Sequence, residues 1–264
     1  MTHIARPITP AIGAEVSGLD LAAPLDESIA AFLRESLARF GVLSLRGQSL
    51  SPGRQVEIAA LFGRPVADPH PKFGHVDGYP QVSIVINDEK NPPEINVWHA
   101  DLTFRAQPGL ACVLHCIELP ATGGDTLWSS MAAAYDALSP AIKRLIEPLQ
   151  AVHRLPVDGY PLEAVMAMPD RESIHPVVRR HPVSGCACLY VNSVYTREIV
   201  GLSRNESRHL LAMLFEHVAC PDFQMRYRWQ QGSLVIWDNL LTQHYAAADY
   251  YPQRRVMHRV AVAP

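Results

Sequence analysis

"FQMRYRWQQGSLVIWDNLLTQHYAAADYYPQRRVMHRVAVA" (residues 223–263) is the stretch on which the fold turns. Three segments in it, "FQMRYRWQ", "SLVIWDN" and "RRVMHRVAVA", are dense in β-branched, aromatic and other apolar residues. Gly232 and the Tyr251-Pro252 pair punctuate them. That composition between such breaks predicts strands. Working backwards, "VLSLRG" (42–47), "QVSIVIN" (81–87), "PGLACVLHCIEL" (108–119), "DTLWSS" (125–130), "HPVVRRHP" (175–182) and "CACLYVN" (186–192) read the same way.

Helical spacing is confined to a few segments. "DESIAAFLRESLARF" (26–40) repeats its apolar positions at helical intervals until Gly41 stops it. Ser51-Pro52 predicts an N-cap and first turn for a helix through Phe62. A helical pair is expected across "MAAAYDALSPAIKRLIEPL" (131–149), and Ser203-x-x-Glu206 is a capping box opening a helix to about Cys220. Residues 155–173 are rich in Pro, Met and acidic residues without periodicity and predict a surface loop or lid. Short strands with flanking helices imply a mainly β, α+β protein: a β-sandwich or barrel with helical buttresses. No βαβ alternation and no Gly-rich phosphate loop is present, which argues against a Rossmann fold. No repeat or linker divides the chain, so residues 1–264 are expected to form one domain.

Composition narrows the function. A net charge of −3 without a basic stripe argues against nucleic acid as a partner. No window approaches the ~18 apolar residues of a membrane span, and the N-terminus lacks a charged and then apolar leader. The expectation is a cytoplasmic protein with no membrane partner. Five cysteines without paired turn spacing predict free thiols that serve as small hydrophobes rather than a zinc site.

Chemistry concentrates in "NVWHADLTF" (96–104). If this segment begins as a strand, His99 and Asp101 project from one face, because side chains alternate along a strand. The candidate third ligand is His244 in "WDNLLTQHYAAADY" (237–250), where the chain leaves a strand for a polar loop. Two His and one carboxylate with open positions is the pattern of non-haem Fe(II) oxygenases. The triplet alone decides nothing, since His75-x-Asp77 repeats it. That second copy lies in "GHVDGYP" (74–80), whose turn signals predict solvated loop residues. On the last strand Arg255, Met257, Arg259 and Ala261 share one face, and two arginines four residues apart, ~13 Å along a strand, could hold two separate anions. A solvent-facing charged strand is the simpler alternative, although Arg254 on the valine face breaks a clean alternation. His258 is read as a packed histidine.

"WHADLTF" (98–104), "GGDTLW" (123–128), "HPVVRRHPVSG" (175–185), "WDNLLTQHYAAADY" (237–250) and "RRVMHRV" (254–260) together resemble the taurine dioxygenase (TauD/TfdA) family, from "GAEVSGLDL" (13–21) almost to the C-terminus. The resemblance implies a double-stranded β-helix, or jelly-roll, core and a dioxygenase using Fe(II), 2-oxoglutarate and O₂. It assigns His99, Asp101 and His244 to iron, and Thr126 and Arg255 to the distal carboxylate of 2-oxoglutarate. Arg259 and His70 match residues gripping an anionic headgroup, with Phe73, Ile95, Leu102 and Tyr195 at pocket positions. Asp101 implies a hydroxylase, since related halogenases carry a small residue there. A homodimer or homotetramer is implied as well.

The implied reaction hydroxylates the carbon beside the headgroup of a small organosulfonate, taurine or an alkylsulfonate, giving sulfite and an aldehyde with succinate and CO₂. Alkyl sulfate esters and aryloxyalkanoates are the alternatives within the family, and a non-enzymatic metal- or anion-binding jelly roll is the rival outside it. Phe73 and Ile95 stand where taurine dioxygenases meet the substrate amine with polar side chains. Burying an ammonium there would cost several kcal/mol, so an apolar tail is expected.

Overall fold

The computed structural model describes residues 3–68, 73–156 and 170–264. Its strands in chain order are β1 (Ile4–Pro7), β2 (Ala14–Ser17), β3 (Val42–Leu45), β4 (Arg64–Val66), β5 (Gly74–Val76) and β6 (Tyr79–Asn87). Then come β7 (Ala111–Glu118), β8 (Thr126–Ser130), β9 (Gln150–Arg154), β10 (Glu172–Pro176), β11 (Val178–Arg180) and β12 (Ala187–Leu189). The last five are β13 (Thr196–Ile199), β14 (Gln224–Tyr227), β15 (Leu234–Asp238), β16 (Thr242–Ala246) and β17 (Arg255–Ala263).

Among the described residues, nine strands form one sheet in the order β1-β2-β3-β15-β7-β17-β6-β5, with β4 beside β17. All its pairings are antiparallel except β2 with β3. A three-stranded sheet, β14-β8-β16, packs against it. The expected sandwich is therefore present.

Strand alternation sorts the large sheet into two faces. Val113 of β7, Leu234 and Ile236 of β15, and Val260 and Val262 of β17 join one core. Leu33 and Leu37 of α1 (Glu27–Phe40) and Ile58 of α2 (Pro52–Ala60) complete it. These helices are the buttresses. The opposite face carries Cys112, Leu114, Trp237 and Met257, which meet Trp128, Met225 and Tyr227 of the small sheet. Trp128 sits 5.7 Å from Trp237 and 6.4 Å from Trp229 between ring centroids, filling this inner layer.

Local signals place the helices as expected. Asp26 caps α1 by accepting from the Ile29 N–H at 2.9 Å, and Gly41 ends it at φ 70, where a side chain would be strained. Ser51 caps α2, with Pro52 in its first turn. The helical pair is α3 (Met131–Ala137) and α4 (Pro140–Ile146). Ser203 and Glu206 form the full capping box of α5 (Arg204–Val218). Cys112, Cys116 and Cys188 are buried and all five thiols are free.

Two expectations are corrected. Residues 97–104 are not a strand: His99 makes one isolated bridge and Asp101 begins a turn. Leu102 takes φ 56 and ends any extended run, while the segment before it pairs with the neighbouring strand β16 through the bridge of His99 to His244 alone among the described residues. His244 does not leave a strand; it lies within β16. Of the expected lid, residues 157–169 lie outside the described residues, as does His70.

Candidate metal and co-substrate site

The cavity between the two sheets gathers ten of the eleven candidate residues: His99, Asp101, His244, Thr126, Arg255, Arg259, Phe73, Ile95, Leu102 and Tyr195. The decoy pair is elsewhere, His75 at the edge strand β5 and Asp77 in the turn after it, both exposed.

Backbone hydrogen bonds, not strand alternation, converge the first three. The His99 N–H donates to the His244 carbonyl at 3.0 Å, and the His244 N–H returns the bond at 2.7 Å. This brings the two imidazole centroids to 4.0 Å. Asn239, in the turn between β15 and β16, fixes Asp101 from both sides. Its side-chain oxygen accepts from the Asp101 N–H at 2.9 Å and its amide donates to the Asp101 carbonyl at 2.7 Å. Asp238 braces that turn by accepting from the Leu240 and Leu241 N–H groups at 2.8 and 3.0 Å.

The donor atoms of His99, Asp101 and His244 all lie within 4.8 Å of one another, and the three residues are buried. The His99 Nδ1–H donates to the Val97 carbonyl at 2.8 Å, so the lone pair is on Nε2, which is 3.7 Å from Asp101 Oδ1. His244 Nε2 lies 3.9 Å from Asp101 Oδ2. Burial pushes the His99 imidazole below its ordinary range despite Asp101. Burial, then the His99 imidazole, lowers His244 to about 3. Both rings are therefore held neutral, the form that binds a metal. Burial favours the neutral acid at Asp101, but Arg259, His244 and His99 outweigh it and keep the carboxylate ionised.

Asp101 Oδ2 lies 2.8 Å from Arg259 Nη2, yet makes no aligned hydrogen bond. The contact is charge proximity, and the Oδ2 lone pairs stay available. Two neutral imidazoles and an ionised, under-coordinated carboxylate fit a divalent ion of borderline hardness.

The two arginines of β17 differ sharply. Arg255 is 5% exposed, and no carboxylate among the described residues lies within ion-pair distance of it. Burial pulls its pKa down, and Tyr250 offsets this in part. Its Nε makes no hydrogen bond. A glycine makes room for it: a Cβ on Gly124, at φ 73, would come within 3.1 Å of Arg255 Cδ. Thr126 lines the same cavity, and its hydroxyl oxygen accepts from the Trp229 indole N–H at 3.0 Å, leaving its own proton to donate. A buried guanidinium without an anion, beside a hydroxyl donor, is suited to an incoming carboxylate.

Arg259 is paired already. Asp68 Oδ2 lies 3.1 Å from its Nη1, Asp101 takes Nη2, and its Nε donates to Cys112 Sγ at 3.2 Å. Burial works against its charge, but the two carboxylates hold its pKa well above the ordinary arginine value. Burial pushes the Cys112 thiol up to about 12, so it meets Arg259 as neutral sulfur. Arg254, by contrast, is exposed and pairs with Asp88 and Glu118 at 3.1 Å each.

Asn239, Asp68 and Cys112 escape the sequence reading. Asn239 has a weak signal, an Asn after the Trp-Asp that ends a strand five residues before His244. Asp68 and Cys112 have none, because only the fold brings them to β17. Replacing Asn239 by Ala is expected to lower Fe(II) affinity about 10- to 100-fold, as for other groups that orient metal ligands. Equilibrium Fe(II) titration of the two proteins measures it, and equal affinities would remove Asn239 from this role.

The family description "Taurine catabolism dioxygenase TauD, TfdA family" matches residues 5–261 of the chain. An alkylsulfatase of Acinetobacter baylyi is 38% identical over 98% of this chain and 84% of its own. An alpha-ketoglutarate-dependent sulfate ester dioxygenase of Pseudomonas putida is 37% identical over 98% of this chain and 88% of its own. The crystal structure of a taurine dioxygenase from Burkholderia xenovorans superposes with a TM-score of 0.88 at 34% identity, covering 100% of this chain and 90% of the other. The sandwich is thus the jelly-roll core of these enzymes, and no helix among the described residues is long and apolar enough to cross a membrane. With its family match spanning nearly the whole length, the chain belongs to the TauD/TfdA family of 2-oxoglutarate-dependent dioxygenases, which use Fe(II) and O₂.

Proposed function

We propose that this dioxygenase hydroxylates the headgroup-bearing carbon of an alkyl sulfate ester with an apolar tail. The unstable adduct would collapse to an aldehyde and sulfate, while 2-oxoglutarate and O₂ yield succinate and CO₂. The wall of the cavity carries the tail half of this reading, and the likeness to an alkylsulfatase and a sulfate ester dioxygenase supports the headgroup. Phe73, Ile95, Leu102, Phe104, Leu155 and Tyr195 line the cavity beside Arg259 and the His-Asp-His cluster. Such a wall takes a hydrocarbon tail at about 25 cal/mol per Å² buried.

In this reading His99, Asp101 and His244 hold the iron, and Arg255 with Thr126 holds the distal carboxylate of 2-oxoglutarate. Bound there, iron supplies the O₂ activation and the one-electron chemistry that side chains lack. The chain's own part is positional: Arg259 fixes the headgroup, the apolar wall fixes the tail, and the carbon between them faces the cluster. Placement of this kind can account for several kcal/mol of barrier lowering.

Taurine fits less well. Its ammonium would meet Phe73 and Ile95, and the two carboxylates that line the cavity, Asp68 and Asp101, are both engaged by Arg259. Alkylsulfonates remain a second reading, supported by the taurine dioxygenase likeness, since they share the tail and a singly charged headgroup. Substrate-dependent succinate release across decyl sulfate, decylsulfonate, a chlorophenoxyacetate and taurine tests the proposal. Decyl sulfate is expected to be turned over best and taurine poorly. Best turnover on taurine would sink the apolar-tail reading.

A further inference from the structure

The charges around Arg259 carry an inference about which anions the cavity accepts, one that rests on Arg259 being the headgroup residue. Two carboxylates, Asp68 and Asp101, and two guanidiniums, Arg255 and Arg259, line the cavity among the described residues. Their formal charges cancel. A divalent iron and a doubly charged 2-oxoglutarate cancel as well. Among the described residues, a substrate anion therefore meets a site whose formal charges already balance.

The geometry says where that anion meets opposition. Each nitrogen of Arg259 already has a neighbour: Asp101 beside Nη2, Cys112 on Nε and Asp68 beside Nη1, though each Nη keeps N–H groups to spare. Once Asp101 is drawn to a metal, Asp68 remains as a buried counter-charge beside Arg259. It is 7% exposed, so little solvent screens it. A headgroup oxygen that reaches Arg259 must share the guanidinium with Asp68 and lie close to its carboxylate. The repulsion grows in proportion to the headgroup's charge. A sulfate ester or sulfonate carries one negative charge. A phosphate monoester of the same shape carries about −1.5 to −2 at neutral pH.

We propose that Asp68 is the specificity-determining residue for headgroup charge, setting the site for singly charged anions and excluding doubly charged phosphate monoesters. The residue acts against the wrong ligand rather than for the right one, a recognised route to discrimination.

Calorimetric titration of the Fe(II)- and 2-oxoglutarate-loaded protein with decyl sulfate and decyl phosphate, without oxygen, tests this. The natural protein is expected to favour the sulfate by at least about tenfold in Kd. Asp68→Asn should cut that preference about tenfold or more, chiefly by binding the phosphate more tightly. Asp68→Ser is the second variant, and the visible charge-transfer band of the iron–2-oxoglutarate complex reports that each variant is intact. A preference unchanged in both variants, or absent in the natural protein, overturns the role of Asp68. Loss of both ligands in Arg259→Gln supports the headgroup residue. Unchanged binding of both ligands in that variant, or binding of neither by the natural protein, overturns the headgroup reading and the proposal with it.

Discussion

Asp101→Ala protein mixed with Fe(II) and 2-oxoglutarate in the absence of oxygen is expected to show no charge-transfer band, and in air no substrate-dependent succinate. Three features make this the largest expected effect. Asp101 is the one carboxylate in the donor cluster, and its loss leaves two neutral imidazoles that cannot offset a divalent charge. Its backbone is fixed by Asn239 through two hydrogen bonds, so the carboxylate is presented to the cluster from a fixed position. Arg259 would lose one of its two counter-charges, and a cation beside the vacated site repels the metal further. The fall in iron affinity should exceed the ~100-fold that orienting residues cost. Near-normal coupled turnover in this variant would refute the ligand assignment.

Arg255 yields a prediction with two readouts of different sign. In Arg255→Met the KM for 2-oxoglutarate should rise by roughly thirty-fold to several-thousand-fold, the ~2–5 kcal/mol lost when one partner of a buried charge pair is truncated. Thermal stability of the unliganded protein should not fall with it. Arg255 is buried without a carboxylate partner among the described residues, and Tyr250 and nearby rings offset its charge only in part. Replacing such a poorly compensated charge by an apolar chain of similar length is neutral or stabilising. The rise in Tm that 2-oxoglutarate gives the iron-loaded protein should vanish, because that rise is binding linkage. An unchanged KM would remove Arg255 from the co-substrate site. A large loss of stability without ligands would mark it as structural.

Much of this was legible in the sequence because the signals were local. Asp26, Gly41, Ser51 and the Ser203/Glu206 pair mark helix ends within one turn of themselves. Arg255, Met257 and Arg259 do line one cavity, as period-two alternation along a long strand requires. Short strands were harder: β1, β2, β4 and β13 have three or four residues, too few to display a period. The segment holding His99 and Asp101 misled in a different way. Its residues suit a strand, but one left-handed residue, Leu102, and two bonds to β16 decide its path. The partners of Arg259 were invisible for the same reason, as Asp68 and Cys112 reach it only through sheet packing.

The reciprocal backbone bonds between His99 and His244 have a consequence for what the protein carries in a cell. They hold both imidazoles beside Asp101 by peptide pairing, which gives the candidate cradle a backbone-defined shape. A rigid nitrogen–oxygen cradle of this kind obeys the general affinity order of divalent first-row ions, in which nickel and copper outrank iron. If His99, Asp101 and His244 hold the metal, which ion sits there would depend on metal availability as well as on affinity.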